Sequence, residues 1–171
     1  MNKPYIGAAD RNKEPIFKVL KPFLDKGEKL LEIGSGTGQH GIYCCEKLPH
    51  LQWQPTELES NIPGIQQWIA DSHVRNIHAP LVLDVSSHNW CQSSYDFVFT
   101  SNTVHYMRWS DVGSMFEGVS YVLRKSGLFF IYGPFHRSGF SATDGNKKLN
   151  EWLQEQSPEF RIRSTDELEN F

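Results

Sequence analysis

The sequence predicts an α/β protein built on a mostly parallel sheet with helices on both faces, and three observations carry that reading. Extended apolar segments alternate with segments of helical periodicity from one end of the chain to the other. The first extended segment runs straight into Gly34-Ser-Gly-Thr-Gly38, a glycine turn followed by a helix. The last, Gly127-Leu-Phe-Phe-Ile-Tyr-Gly133, is apolar throughout, as a strand covered on both faces should be.

Taken in order, the first helix is expected over about 14–24, because Ile16, Val19, Leu20, Phe23 and Leu24 recur at helical spacing and Pro15 suits a first turn; Pro22 is expected to kink or shorten it. Lys29-Leu-Leu-Glu-Ile33 is the first strand, and His40 to Leu48 the helix after the glycine turn. Gln52-Trp-Gln-Pro-Thr-Glu57 is the second strand, with Pro55 expected near its end or at a bulge. A helix over about 61–71 follows, capped by Ser60, with Ile65, Trp68 and Ile69 facing inward. Pro80 to Asp84 and Tyr95 to Ser101 read as the third and fourth strands. The next helix carries Met115, Phe116, Val119, Val122 and Leu123 on one face and is ended by Gly127. A final helix is centred on Leu149, Trp152 and Leu153, and Ser164-Thr-Asp-Glu167 has the spacing of a capping box, so a short helix is expected to start there. Read differently, that last stretch is a frayed tail.

The 171 residues suit one domain over 1–171, and 39% hydrophobic with 22% charged residues is the balance of a chain that folds. A formal net charge of −3, with basic residues scattered apart from pairs such as Arg124-Lys125, argues against nucleic acid as the main partner. The longest apolar stretch, Leu128 to Tyr132, is far below the roughly 20 residues a membrane helix requires. Three cysteines with no CxxC pair form neither a disulfide framework nor a zinc site, which points to a reducing cytoplasm. His73 and His78 lie five apart with no carboxylate cluster beside them, so no metal is expected.

Glu32-Ile-Gly34-Ser-Gly36-Thr-Gly38 is the strongest chemical signal. Glycines at alternate positions let the backbone turn tightly and let a small ligand lie against it; a purely structural turn needs only one or two. A P-loop is excluded because no Lys follows the last glycine, and a dinucleotide fingerprint would place glycine at position 39, which is Gln. The spacing is GxGxG.

Here the chain resembles the class I methyltransferases that use S-adenosylmethionine, whose first motif, acid-x-Gly-x-Gly-x-Gly, is matched by Glu32, Gly34, Gly36 and Gly38 with Ser35 between. The resemblance implies a Rossmann-like fold with S-adenosylmethionine as cofactor. It also implies that an acid ending the second strand holds the ribose hydroxyls, a place taken by Glu57 with Leu58 beside it; Glu59 is the rival, and a plain surface carboxylate the third reading. Asp84 stands where that family's adenine-binding acid lies, with the N–H of Val85 serving a ring nitrogen; alternatively Asp84 only caps the turn after its strand. Asn102, after Ser101, falls beside the methionine end of the cofactor.

A narrower resemblance, to an uncharacterised methyltransferase-like subgroup known only as a domain of unknown function, covers almost the whole chain. It rests on Asp10-Arg-Asn-Lys-Glu-Pro-Ile16, Gly34-Ser-Gly-Thr-Gly-Gln-His40, Trp53-Gln-Pro-Thr-Glu57 and Tyr132-Gly-Pro-Phe135. Such proteins usually continue through two more strands, which are missing here, so the domain is expected to be C-terminally incomplete. Its fifth strand would then be an exposed edge that invites pairing with another chain.

The resemblance implies methyl transfer, a displacement in which the protein aligns the acceptor and, for an O–H or N–H acceptor, removes a proton; a small molecule is the expected acceptor, with a protein side chain as the alternative. His105, in the loop after the fourth strand, is the first candidate for base or acceptor contact, followed by Tyr132 and His136 around Gly133-Pro134-Phe135. Asn12, and less so Arg11, are candidates for holding the cofactor carboxylate or the substrate; read differently, they belong to a solvated helix start. A binding module that holds the cofactor without transfer, and a nicotinamide-dependent oxidoreductase, are the competing functions; Gln39 disfavours the second.

Overall fold

A computed structural model describes residues 3–87 and 89–171. Five parallel strands, β1 (Lys29–Ile33), β2 (Gln52–Glu57), β3 (Leu81–Val82), β4 (Tyr95–Ser101) and β5 (Leu123–Tyr132), form one sheet in the order β3-β2-β1-β4-β5. The chain first builds outward from β1 in one direction, then crosses back to add β4 and β5 on the other side. The carboxyl ends of β1 and β4 therefore flank the switch point at which open α/β sheets bind ligands.

Strand alternation divides the core. Leu30, Trp53, Phe97 and Phe99 pack with α1 (Gly7–Leu24) and α2 (Gln39–Lys47) on one face, where Trp68 and Ile69 of α3 (Ile62–Ala70) join them. Leu31, Ile33 and Val98 pack with Val112, Met115, Val119 and Val122 of α4 (Trp109–Val122) on the other. Beyond β5, a two-stranded parallel ribbon of β6 (Phe135–His136) and β7 (Arg163–Ser164) brackets α5 (Asp144–Gln156), and α6 (Thr165–Leu168) follows with its capping box formed by Ser164 and Glu167. The sequence gives no sign of the ribbon, whose strands are two residues each.

The first helix begins seven residues earlier than its apolar spacing suggests, because Pro15 lies in its interior and not at its start. Ala8 and Ala9 extend it, and the loss of one backbone donor at Pro15 is outweighed by burial of Ile16, Phe17, Leu20 and Leu24. Val19 faces solvent, and Phe23 is half-exposed against Phe130, so neither faces the core as expected. Ser60 is not the cap of α3; it sits in a 3-10 turn, Glu59–Asn61, and Asn61 takes the cap position without a side-chain bond.

Pro55 lies inside β2, paired with Glu32 in unbroken register. Trp53 donates its N–H to Asn76 O at 2.9 Å and accepts from His78 N–H at 2.8 Å, so the backbone groups of Trp53, Pro55 and Glu57 turn away from β1. The missing Pro55 donor thus falls in the gap before β3 begins, and Gln54 Nε2 closes that gap by donating to the carbonyls of Pro55 and Ala79. The third strand is shorter than expected, leaving Asp84 beyond it.

Gly127 does not end α4, which stops at Val122. It lies in β5 opposite a register shift between Tyr95 and Phe97, where Ser126 takes a positive φ of 68° and a Cβ on Gly127 would stand 2.8 Å from the Asp96 carbonyl. β5 is only partly covered, against the expectation of a strand buried on both faces, and it forms an edge of the sheet among the described residues.

Candidate active site

The loop from Gly34 to Gly38 leaves β1 with three glycines at positive φ, 68°, 58° and 81°, conformations that L side chains rarely adopt. Gly38 N–H closes the turn on Ser35 O at 2.8 Å, and Ser35 and Thr56 exchange bonds that fix the loop to β2. A Cβ on Gly34 would meet the Thr103 side chain at 2.7 Å, so the loop after β4 packs against the glycine loop only because Gly34 has none.

Around this loop the carboxyl ends of β1 to β4 enclose a cavity of about 730 Å³, within the size range of small-molecule sites. Gly34, Ser35 and Gly36 form its floor, and Glu57 with Leu58, Asp84 with Val85, and Ser101 with Asn102 line it from the three neighbouring strand ends. Asn102 sits at φ 56°, a left-handed conformation Asn tolerates, and its N–H donates to Tyr132 O at 2.8 Å. Glu57 accepts from Gly36 N–H at 3.3 Å and from Leu58 N–H, so its carboxylate spans the glycine loop and the end of its own strand. Asp84 accepts from the N–H and the hydroxyl of Ser86 on one oxygen, Oδ1, and those bonds hold its carboxyl below the usual carboxylate range. The local capping role weighed for Asp84 is therefore present at Oδ1.

His105 also lines the cavity, in a 3-10 turn, Val104–Tyr106, its ring against that of Tyr106 with centroids 4.4 Å apart and the planes tilted by 45°. Burial pushes its pKa down to about 4, so the imidazole is neutral at pH 7.

Seven of the residues singled out in the sequence do not line the cavity: Arg11, Asn12, Glu32, Gly38, Glu59, Tyr132 and His136. Tyr132 reaches the site through its backbone carbonyl, which accepts from Asn102 N–H, and His136 lies in β6 paired with Ser164. Glu32 is buried beneath the loop, accepting from Trp53 Nε1 at 2.9 Å, and burial pushes its pKa up to about 7. His40, which does line the cavity, bonds Asn12 Oδ1 through Nε2 at 2.8 Å and brings Nδ1 to 3.8 Å from Glu32. The Asp10–Ile16 and Gly34–His40 stretches thus meet through Asn12 and His40, and the Trp53–Glu57 stretch joins them through Trp53 and Glu32.

Other cavity residues escaped the sequence reading. Ile6, Ala8 and Ala9 come from the start of α1, which Pro15 concealed; Arg108 and Asp111 come from the start of α4, and Leu149 from α5. The Ala8-Ala9 pair was the available signal for the first group, since alanine is the strongest helix former. Arg108 Nε donates to Asp111 Oδ2 at 3.0 Å, a spacing of three residues readable once the helix start is known.

A parallel sheet in this order, with a glycine loop after its first strand and a cavity over the carboxyl ends, is the Rossmann-like methyltransferase fold. The chain belongs to the family described as a protein of unknown function (DUF938), whose model matches residues 3–171. Among solved structures, it is similar to a putative O-methyltransferase from Nostoc punctiforme PCC 73102, with a TM-score of 0.82 at 13% identity over 95% of this chain and 48% of that one. Human N-acetylserotonin methyltransferase, solved in complex with SAM, gives 0.77 at 11% identity over 92% of this chain and 43% of that one. An O-methyltransferase family protein from Burkholderia thailandensis gives 0.74 at 11% over 93% and 51%. At these identities the likeness is one of fold, and the chain spans about half the length of these three structures. Among the described residues, no helix is long and apolar enough to cross a membrane.

Proposed function

We propose that the chain is an S-adenosylmethionine-dependent methyltransferase acting on a small-molecule acceptor, with the cofactor lying along the carboxyl edge of the sheet. The observation that carries this reading is the convergence of the glycine loop, Glu57, Asp84 and Asn102 on one cavity. The solved relatives include proteins complexed with SAM and SAH, which supports the same cofactor here.

Glu57, with two carboxylate oxygens, holds the adjacent ribose hydroxyls. Asp84 accepts from the adenine amino group while Val85 N–H donates to a ring nitrogen. The positive-φ glycines keep side chains out of the space where the ligand passes, and Asn102 lies at its methionine end. The bound cofactor supplies a methyl group on a sulfonium. His105, neutral at pH 7, takes the proton of an acceptor hydroxyl or amine.

Calorimetric titration of the chain with S-adenosylhomocysteine tests this without an identified acceptor. Saturable one-to-one binding is expected; absence of binding by a folded chain overturns the reading. With an acceptor found by metabolite screening, His105→Ala is expected to retain that binding and lose turnover.

A further inference from the structure

Gln39 stands where a dinucleotide fingerprint would carry glycine, and the function proposed above gives it no task. It is 4% exposed, and its Oε1 accepts from Ile6 N–H at 2.9 Å and from the Thr37 hydroxyl at 2.6 Å. The amide cannot be turned over, because the Ile6 N–H only donates and must face the oxygen. Gln39 Nε2 is consequently buried with no partner among the described residues. A side chain that leaves a buried donor unpaired is held in place by what its oxygen does.

That oxygen ties the segment ahead of α1 to the glycine loop, and further contacts repeat the tie. His40 Nε2 meets Asn12 Oδ1 at 2.8 Å, Trp68 Nε1 donates to Pro4 O at 2.6 Å, and Lys3 pairs with Asp71 at 3.0 Å. Along the tethered stretch, Ile6 Cδ1 lies 3.1 Å from where a Cβ on Gly36 would stand, and Ile6, Ala8 and Ala9 line the cavity. Ile6 nevertheless remains 42% exposed, an apolar side chain at the cavity for a ligand to cover.

We propose that Gln39 is a positioning residue that holds Pro4 to Ala9 over the glycine loop as a fourth wall of the cofactor cavity, and that Ile6 is a direct cofactor contact. This rests on the S-adenosylmethionine reading of the site. Gln39→Met removes the accepting oxygen at similar volume, whereas Gln39→Glu keeps it.

The test measures dissociation of S-adenosylhomocysteine by stopped flow, with amide hydrogen exchange on the unliganded chain. Gln39→Met is expected to speed dissociation roughly 3- to 10-fold, the worth of one hydrogen bond, and to raise exchange at Ile6, while Gln39→Glu restores both. Ile6→Ala, a change at a half-exposed side chain, is expected to speed dissociation with exchange elsewhere unchanged. A folded Gln39→Met chain with wild-type dissociation and exchange overturns the proposal. If Gln39→Met does not fold, Ile6→Ala decides: wild-type dissociation in that variant overturns the contact and the wall together. A wild-type chain that binds no S-adenosylhomocysteine refutes the cofactor reading instead, and with it the cofactor role of this wall, while exchange at Ile6 still reports whether Gln39 holds the segment.

Discussion

Trp53 Nε1 donates to Glu32 Oε2 at 2.9 Å, and both side chains are buried. Strand alternation turns Glu32 toward the face covered by α1 and α2, so the acid of the glycine motif serves the floor of the cavity from below. Burial raises its pKa to about 7, with the Trp53 and Ser35 bonds opposing that rise in part. The folded chain therefore keeps a proton that the unfolded chain releases near pH 4.5, and the contribution of Glu32 to stability falls as pH rises from about 4.5 to 7. Glu32→Gln is expected to remove that contribution, shifting the difference in unfolding free energy between pH 5 and pH 8 by about 2.5 kcal/mol in favour of pH 8. Urea unfolding at the two pH values checks it; a variant whose difference between them equals that of the wild type refutes the assignment.

His40 and His105 act in the opposite direction. Burial lowers both pKa values to about 4, so the unfolded chain takes up protons that the native chain refuses. Stability is lost as pH falls from about 6.5 toward 4. The windows overlap: between about pH 4.5 and 6.5 the two histidines outweigh Glu32 and net stability rises with pH, so the fall due to Glu32 shows by itself only from about 6.5 to 7. His105→Asn should make the rise below pH 6.5 shallower and leave the fall above it unchanged, as read by melting temperature across that range.

Glu57 and Asp84 differ in what their loss should do. Glu57 also accepts from Gly36 and Leu58 N–H groups, so Glu57→Ala is expected to weaken S-adenosylhomocysteine binding by roughly 10- to 100-fold through both the lost ligand contact and a looser loop. Asp84 already has Oδ1 committed to Ser86, leaving one oxygen for the ligand, and Asp84→Asn should cost less than Glu57→Ala. Calorimetry gives both numbers; unchanged affinity in both variants removes these residues from the site.

Much of this arrangement was legible in the sequence because it depends on local rules. β1, β2 and β4 match their expected bounds, and the glycine loop follows from residue type alone. What was not legible depends on partners distant in sequence. Pro15 reads as a helix start by local preference, yet packing of Ile16 and Leu20 carries the helix through it. Glu32 resembles a ligand-binding acid until Trp53, 21 residues away, shows which way it faces. The cavity wall from α1 needed Gln39 and His40 to find Ile6 and Asn12, contacts that no periodicity encodes.

Arg163 shows how the C-terminal elements reach the same cavity. It is buried in β7, its Nη2 donates to Met107 O at 2.8 Å and Glu159 O at 3.0 Å, and its guanidinium lies 5.1 Å from the Trp109 ring centre. Met107 lines the cavity two residues after His105, so Arg163 holds the turn that carries both. Both carbonyls are served by the one nitrogen Nη2, at the far end of a guanidinium plane that also lies over the Trp109 ring; a lysine ammonium on its shorter stem cannot fill both places, and Arg163→Lys should behave like a loss. The expected cost is about 2–4 kcal/mol, the range for disrupting a buried charged hydrogen-bond network. Hydrogen exchange locates the damage: amides of residues 104–109 and 159–164 should exchange faster in Arg163→Lys, while those of β1 keep their protection. Equal acceleration in β1 would mean that Arg163 supports the whole sheet, and that the turn bearing His105 is positioned by β4 alone.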